Sequence, residues 1–153
     1  MGKRIYVAGA SANIEEIESY IKKLKGAGWT ISFDWTVKVR EAGDASPDDP
    51  VIRRQAALAD LEGVTTADVV WLVQPAPTST STGAWVELGS ALTIRDVRKW
   101  VVERFKLTLP EGLPVGPIVV ASGSSKKCIF SDLADYRFQS NDDAFDFINK
   151  KLW

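Results

Sequence analysis

The chain of 153 residues contains no histidine, a single cysteine and a single methionine. Without histidine there is no Ser-His-Asp or Cys-His catalysis, and the commonest zinc ligand is missing. One cysteine, Cys128, cannot form a disulfide or a thiolate cluster within the chain. Charge is nearly balanced, with 19 basic against 20 acidic residues, so no broad field favours a nucleic acid polymer or an acidic membrane. No apolar run approaches bilayer-spanning length, and no signal-peptide h-region follows Met1. The expected setting is cytoplasmic. Proton and covalent chemistry must fall to carboxylates, tyrosine or lysine, with help from backbone dipoles.

What is present has ordinary globular proportions, 45% hydrophobic and 25% charged. Strand-type and helix-type segments alternate throughout. Ile5-Tyr6-Val7-Ala8, ending at Gly9, reads as a buried first strand, and Ile14, Ile17, Ile21 and Leu24 recur at helical spacing until Gly26 and Gly28. Trp29 to Phe33 alternates like a second strand, and Glu41 to Pro50 reads as a loop. Ile52, Ala56, Ala59 and Val64 support a helix closing at Thr65 or Thr66. Asp68 to Val73 is apolar on both faces, as a central parallel strand should be. A polar loop from Pro75 to Ser81 leads to a helix carrying Trp85, Leu88 and Leu92, with Ser81 or Thr82 as its cap. Pro117 to Ala121 is a further buried strand, Arg137-Phe138 a short one, and Asn141 to Lys151 a final helix.

This alternation predicts one α/β domain over residues 1–153, with a parallel, flavodoxin-like or Rossmann-like sheet of about five strands and helices on both faces. Ligands of such sheets gather beyond the carboxyl ends of the strands. Those ends are Gly9-Ala10-Ser11, Asp34-Trp35-Thr36, Gln74 to Ser81, and Ser122 to Ser125. Val97, Val101 and Phe105 continue the helical spacing past the expected end of the third helix. That segment either packs its stripe on its own domain or forms a subunit interface with Trp100 and Phe105 as anchors.

The most informative stretch is Ser81-Thr82-Gly83-Ala84-Trp85-Val86-Glu87-Leu88-Gly89-Ser90-Ala91-Leu92. It places Glu87 early in a helix that begins at the carboxyl end of the best strand, where the helix dipole favours an ionised carboxylate. Gly83 lets the backbone approach a ligand, and Gly89 lets the helix lie close on the sheet. Asp60, near the end of the preceding helix, could reach toward Glu87. Tyr6, on the first strand, could hold a nucleophilic carboxylate by hydrogen bonding. By themselves these residues read equally as a solvated helix glutamate, an exposed aspartate and a core tyrosine.

In order along the chain, Ile5-Tyr6-Val7-Ala8-Gly9, Asp60-Leu61 with Ala67-Asp68-Val69-Val70, and Gly83-Ala84-Trp85-Val86-Glu87-Leu88-Gly89-Ser90-Ala91 resemble the nucleoside 2-deoxyribosyltransferase family. That family includes the 2'-deoxynucleoside 5'-phosphate N-hydrolases and the cytidylate hydrolases. The resemblance implies that Glu87 is the nucleophile and that Tyr6 orients it. It implies that Asp60 works at the ribose and the leaving base, and that Ser81 contacts the sugar 5' end. It further implies cleavage or exchange of an N-glycosidic bond in a nucleoside or its monophosphate, no cofactor and no metal, and a homodimer or larger homo-oligomer. Trp35 is placed to stack on a base and Asp34 to bond its edge. Phosphate-binding relatives carry an arginine after the first strand, where this chain has Gly9-Ala10-Ser11-Ala12-Asn13. An anion site would then fall to Ser81, Ser124, Ser125 and Lys126. Two other readings remain open: a nucleotide-binding module without turnover, and a nicotinamide dinucleotide glycohydrolase, although no Gly-x-Gly-x-x-Gly turn follows the first strand.

Overall fold

The computed structural model describes residues 3–42, 49–76, 79, 81–110, 114–123 and 128–152. Five parallel strands form one sheet: β1 (Arg4–Ala8), β2 (Thr30–Ile31), β3 (Val69–Val73), β4 (Ile118–Ser122) and β5 (Tyr136–Phe138), in the order β2-β1-β3-β4-β5. The register pairs Ile5 with Val69, Val69 with Ile118 and Val120 with Tyr136. Five helices connect or follow them: α1 (Ile14–Gly26), α2 (Trp35–Ala42), α3 (Pro50–Thr65), α4 (Gly83–Phe105) and α5 (Asn141–Lys151). The α/β architecture is as the alternation predicts.

Sequence chemistry explains the well-formed elements. β3 is buried at every position, since helices cover both faces of a central parallel strand. Asp49 caps α3 by accepting from the Val51 amide at 2.8 Å, with Pro50 at the first helical position. Ser140 accepts from the amides of Asp142 and Asp143 at the start of α5, and Lys150 and Lys151 occupy its last turn. The chain leaves β1 toward β2, then crosses back to β3, so strand order reverses between β1 and β3. Trp71 of β3 meets Tyr20 of α1 edge-on at 5.0 Å, and Tyr20 meets Phe145 of α5, so α1 and α5 share one face. Tyr6 of β1 lies against Gly63 of α3 on the other, the face that α3 and α4 cover.

Several expectations are corrected. The second strand is two residues long rather than five. Trp29 instead enters the core and its indole donates to Asn149 Oδ1 at 2.9 Å. Residues 35–42 form α2, whose Arg40 makes a two-pronged ion pair with Glu18 of α1. Ile52 and Ala56 are exposed, not core. At 1.5 Å per residue α3 is roughly 24 Å long, whereas a five-residue strand spans roughly 17 Å. Arg4, the first residue of β1, donates to Thr66 at the carboxyl end of α3, so the excess of about one turn extends past the carboxyl edge of the sheet at the helix's amino-terminal end. The 23-residue α4 overhangs the opposite edge. Trp100 and Phe105 there are 58% and 64% exposed and stack edge to face at 6.4 Å. That segment does not pack its apolar stripe on its own domain. Neither Thr82 nor Ser81 caps α4 with its side chain, and an added Cβ at Gly89 would meet nothing within 4 Å, so that glycine serves no close helix–sheet contact. Among the described residues no helix is long and apolar enough to cross a membrane.

Candidate active site

Three elements bring Tyr6, Asp60 and Glu87 together. β1 directs the Tyr6 side chain to the α3–α4 face, where the ring is fully buried. Its hydroxyl donates to Asp60 Oδ1 at 3.2 Å. Glu87, in the second turn of α4, is only 8% exposed. Glu87, like Asp60, raises the pKa of the phenol, so the three groups are close enough to act on one another. Glu87 Oε2 is one of two buried side-chain polar atoms without a partner among the described residues. A buried polar atom left open is uncommon in a folded protein and calls for a functional explanation.

The electrostatics follow from this placement. Burial, then the Asp60 charge, pushes Glu87 up from 4.5 to about 8, against the lowering effect of its bond with Tyr6. Burial raises Asp60 as well, opposed by the same phenol. Burial and the two carboxylates raise Tyr6, which stays a protonated donor. The helix dipole expected to keep Glu87 ionised is thus outweighed by desolvation in the empty site. With its value at about 8, Glu87 holds a proton at neutral pH in the empty site.

Ala56 and Ala57 lie one turn before Asp60 on α3, and Arg53 two turns before it, on the same helical face. Ser81 lies two residues ahead of α4, and Gly83 faces open space where a ligand could approach the backbone. Gly9, after β1, packs closely on Ile17 of α1. Ser11 is exposed in the short turn that follows, Ser11–Asn13. A cavity of about 480 Å³ opens beside that turn, lined by residues 12–16 and not by Glu87.

Two residues do not fit the base-binding expectation. Trp35 is buried at 8% exposure and its indole donates to the Val7 carbonyl at 2.8 Å, so the ring fills the core instead of offering a stacking face. Asp34 is held by Lys25 at 2.9 Å and by the Thr36 hydroxyl at 2.6 Å, which ties α1 to the start of α2. Ser124, Ser125 and Lys126 lie outside the described residues. The sequence reading passed over Gly63, which touches both Phe33 and Tyr6. Its signal was a glycine inside an otherwise helical run.

A solved 2-deoxyribosyltransferase from the psychrotolerant bacterium Bacillus psychrosaccharolyticus superimposes on this chain with a TM-score of 0.62. The match covers 93% of this chain and 90% of that one, at 16% identity. The chain has the 2-deoxyribosyltransferase fold. No protein-family model matches the sequence, and no curated protein matches it. On the 2-deoxyribosyltransferase fold, Tyr6, Asp60 and Glu87 converge at β1, α3 and α4 of one face.

Proposed function

We propose that the protein cleaves or exchanges the N-glycosidic bond of a nucleoside-like substrate, with Glu87 as nucleophile. The observation that carries this reading is the buried, unpartnered Glu87 Oε2 beside the Tyr6–Asp60 pair. The open oxygen attacks the anomeric carbon, and the electrons of the breaking C–N bond leave with the base. The proton that Glu87 gives up as it becomes the nucleophile passes to Asp60, whose affinity burial has raised, and from there to the departing base. The product is a glycosyl ester on Glu87, the retaining pattern in which one carboxylate bonds the sugar and another group handles the proton. Water resolves the ester to free sugar, or a second base resolves it to a new nucleoside.

Tyr6 contributes position. Its hydroxyl donates to one carboxylate and acts on the other, which keeps both within reach of one substrate. Charge changes hands within the site: as the sugar gains positive character, negative charge is favoured on Glu87 and the proton on Asp60. In this reading Ser81, two residues ahead of α4, takes a sugar hydroxyl or a 5'-phosphate. We further infer that the exposed end of α4, with Trp100 and Phe105, is where subunits of a homo-oligomer meet. Neither requires a cofactor.

The test is incubation with a panel of 2'-deoxynucleosides, ribonucleosides and their monophosphates, with chromatography of the base released or exchanged. The expected result is turnover of at least one member, lost in Glu87→Ala. Equal base release by the variant would reject the reading.

A further inference from the structure

Helix α3 carries a buried glycine at 63, in its last turn, followed by Val64 and Thr65. Glycine is the poorest helix former after proline, so a buried glycine within a helix calls for a reason in packing or function. Here the reason is geometric. A Cβ at position 63 would lie 2.8 Å from Tyr6 Cδ2, 2.9 Å from Tyr6 Cε2 and 2.6 Å from Phe33 Cβ. All three distances are shorter than real Cβ contacts, and the Tyr6 ring is fully buried, so it or its neighbours must shift to admit a Cβ. Asp60, which accepts the Tyr6 hydroxyl, sits three residues earlier on the same helix and the same face. One helix therefore supplies both the seat of the ring and the partner of its hydroxyl.

We propose that Gly63 is a positioning residue for this centre, its missing side chain letting the Tyr6 ring lie flat on α3 so that the phenol reaches both Asp60 and Glu87. The inference rests on the reading of Glu87 as nucleophile for its kinetic consequence, and on packing alone for its structural one. Phe33, two residues after β2, also comes within 2.6 Å of the added Cβ, so α3 is crowded there by two side chains. An added methyl displaces the ring, and the displacement appears at the other end of the side chain as a lengthened or lost bond to the carboxylates.

Gly63→Ala tests this, since alanine is the better helix former and favours folding of α3 itself. Two measurements are made on the full chain. The first follows the Glu87 carboxyl titration by carbon NMR in wild type, Gly63→Ala and Tyr6→Phe, and needs no turnover. The phenol lowers the Glu87 pKa, so both substitutions are expected to move the titration to higher pH, in the same direction and by comparable amounts. The second compares kcat in a double-mutant cycle. Gly63→Ala should cost on the order of 10-fold or more in kcat with little change in KM, and almost nothing further in the Tyr6→Phe background. An unmoved titration in a folded Gly63→Ala protein, or an equal kcat loss in both backgrounds, overturns the proposal. Should no substrate turn over, the functional reading fails while the NMR arm still decides the role of Gly63.

Discussion

Replacing Glu87 by glutamine should stabilise the protein, and by an amount that depends on pH. The group titrates at about 8 in the folded chain against an ordinary value of 4.5. Between those two values the native state holds a proton that the unfolded chain has released. Stability therefore falls as pH rises through this window, at up to 1.36 kcal/mol per pH unit. The full span corresponds to a ceiling of about 5 kcal/mol. Local rearrangement and water entry reduce it, so a difference of ~2–4 kcal/mol is expected. Glutamine has the same shape and no charge to desolvate. The two proteins should be nearly equal in stability near pH 4.5, and Glu87→Gln should be the more stable by the stated amount at pH 8.5. Urea unfolding followed by tryptophan fluorescence at several pH values reads the difference directly. A difference that stays flat with pH, or a wild type more stable than the variant in alkali, would refute the claim that burial controls this carboxyl.

Other outcomes follow from the same contacts. The rising limb of kcat/KM against pH should lie well above that of an ordinary glutamate. It should move down in Asp60→Asn, which removes a repelling charge, and up in Tyr6→Phe, which removes a stabilising bond. Trp35→Phe should cost about 1–2 kcal/mol in denaturant titration, through loss of the indole bond to the Val7 carbonyl. It should leave the relative preference among nucleobases unchanged, because the ring belongs to the core. Trp100→Lys combined with Phe105→Glu should shift the sedimentation coefficient to that of a monomer while leaving the circular dichroism spectrum intact, as expected if that exposed pair joins subunits.

The parts of the fold that were legible in the sequence are those whose burial is symmetrical or whose ends are marked. β3 announces itself because all five of its residues are apolar, and α5 because Ser140 and two aspartates open it and two lysines close it. The segment that became α2 was not legible, because its eight residues bury only Trp35 and Thr36, too short a stripe to show a helical period. Ile52 and Ala56 have helical periodicity with nothing opposite them, since periodicity fixes a face but not whether another element covers it. The same limit applies to the site. Tyr6, Asp60 and Glu87 are picked out by the resemblance of the segments that carry them, since singly they read equally as a core tyrosine, an exposed aspartate and a solvated glutamate. Trp35 was misjudged, because its position after a strand says where the backbone goes and not which way the ring turns. The titration of Glu87 depends on three elements closing over it, and that is a property of packing alone.

The central claim is that Glu87 forms a bond to a sugar carbon. Rapid acid quench of the protein during turnover, with mass spectrometry of the peptide spanning Glu87, tests it most directly. The account predicts a peptide heavier by one dehydrated sugar, localised to Glu87 and absent in Glu87→Gln. Base release at the wild-type rate from Glu87→Gln, or a sugar adduct on another residue, would contradict it.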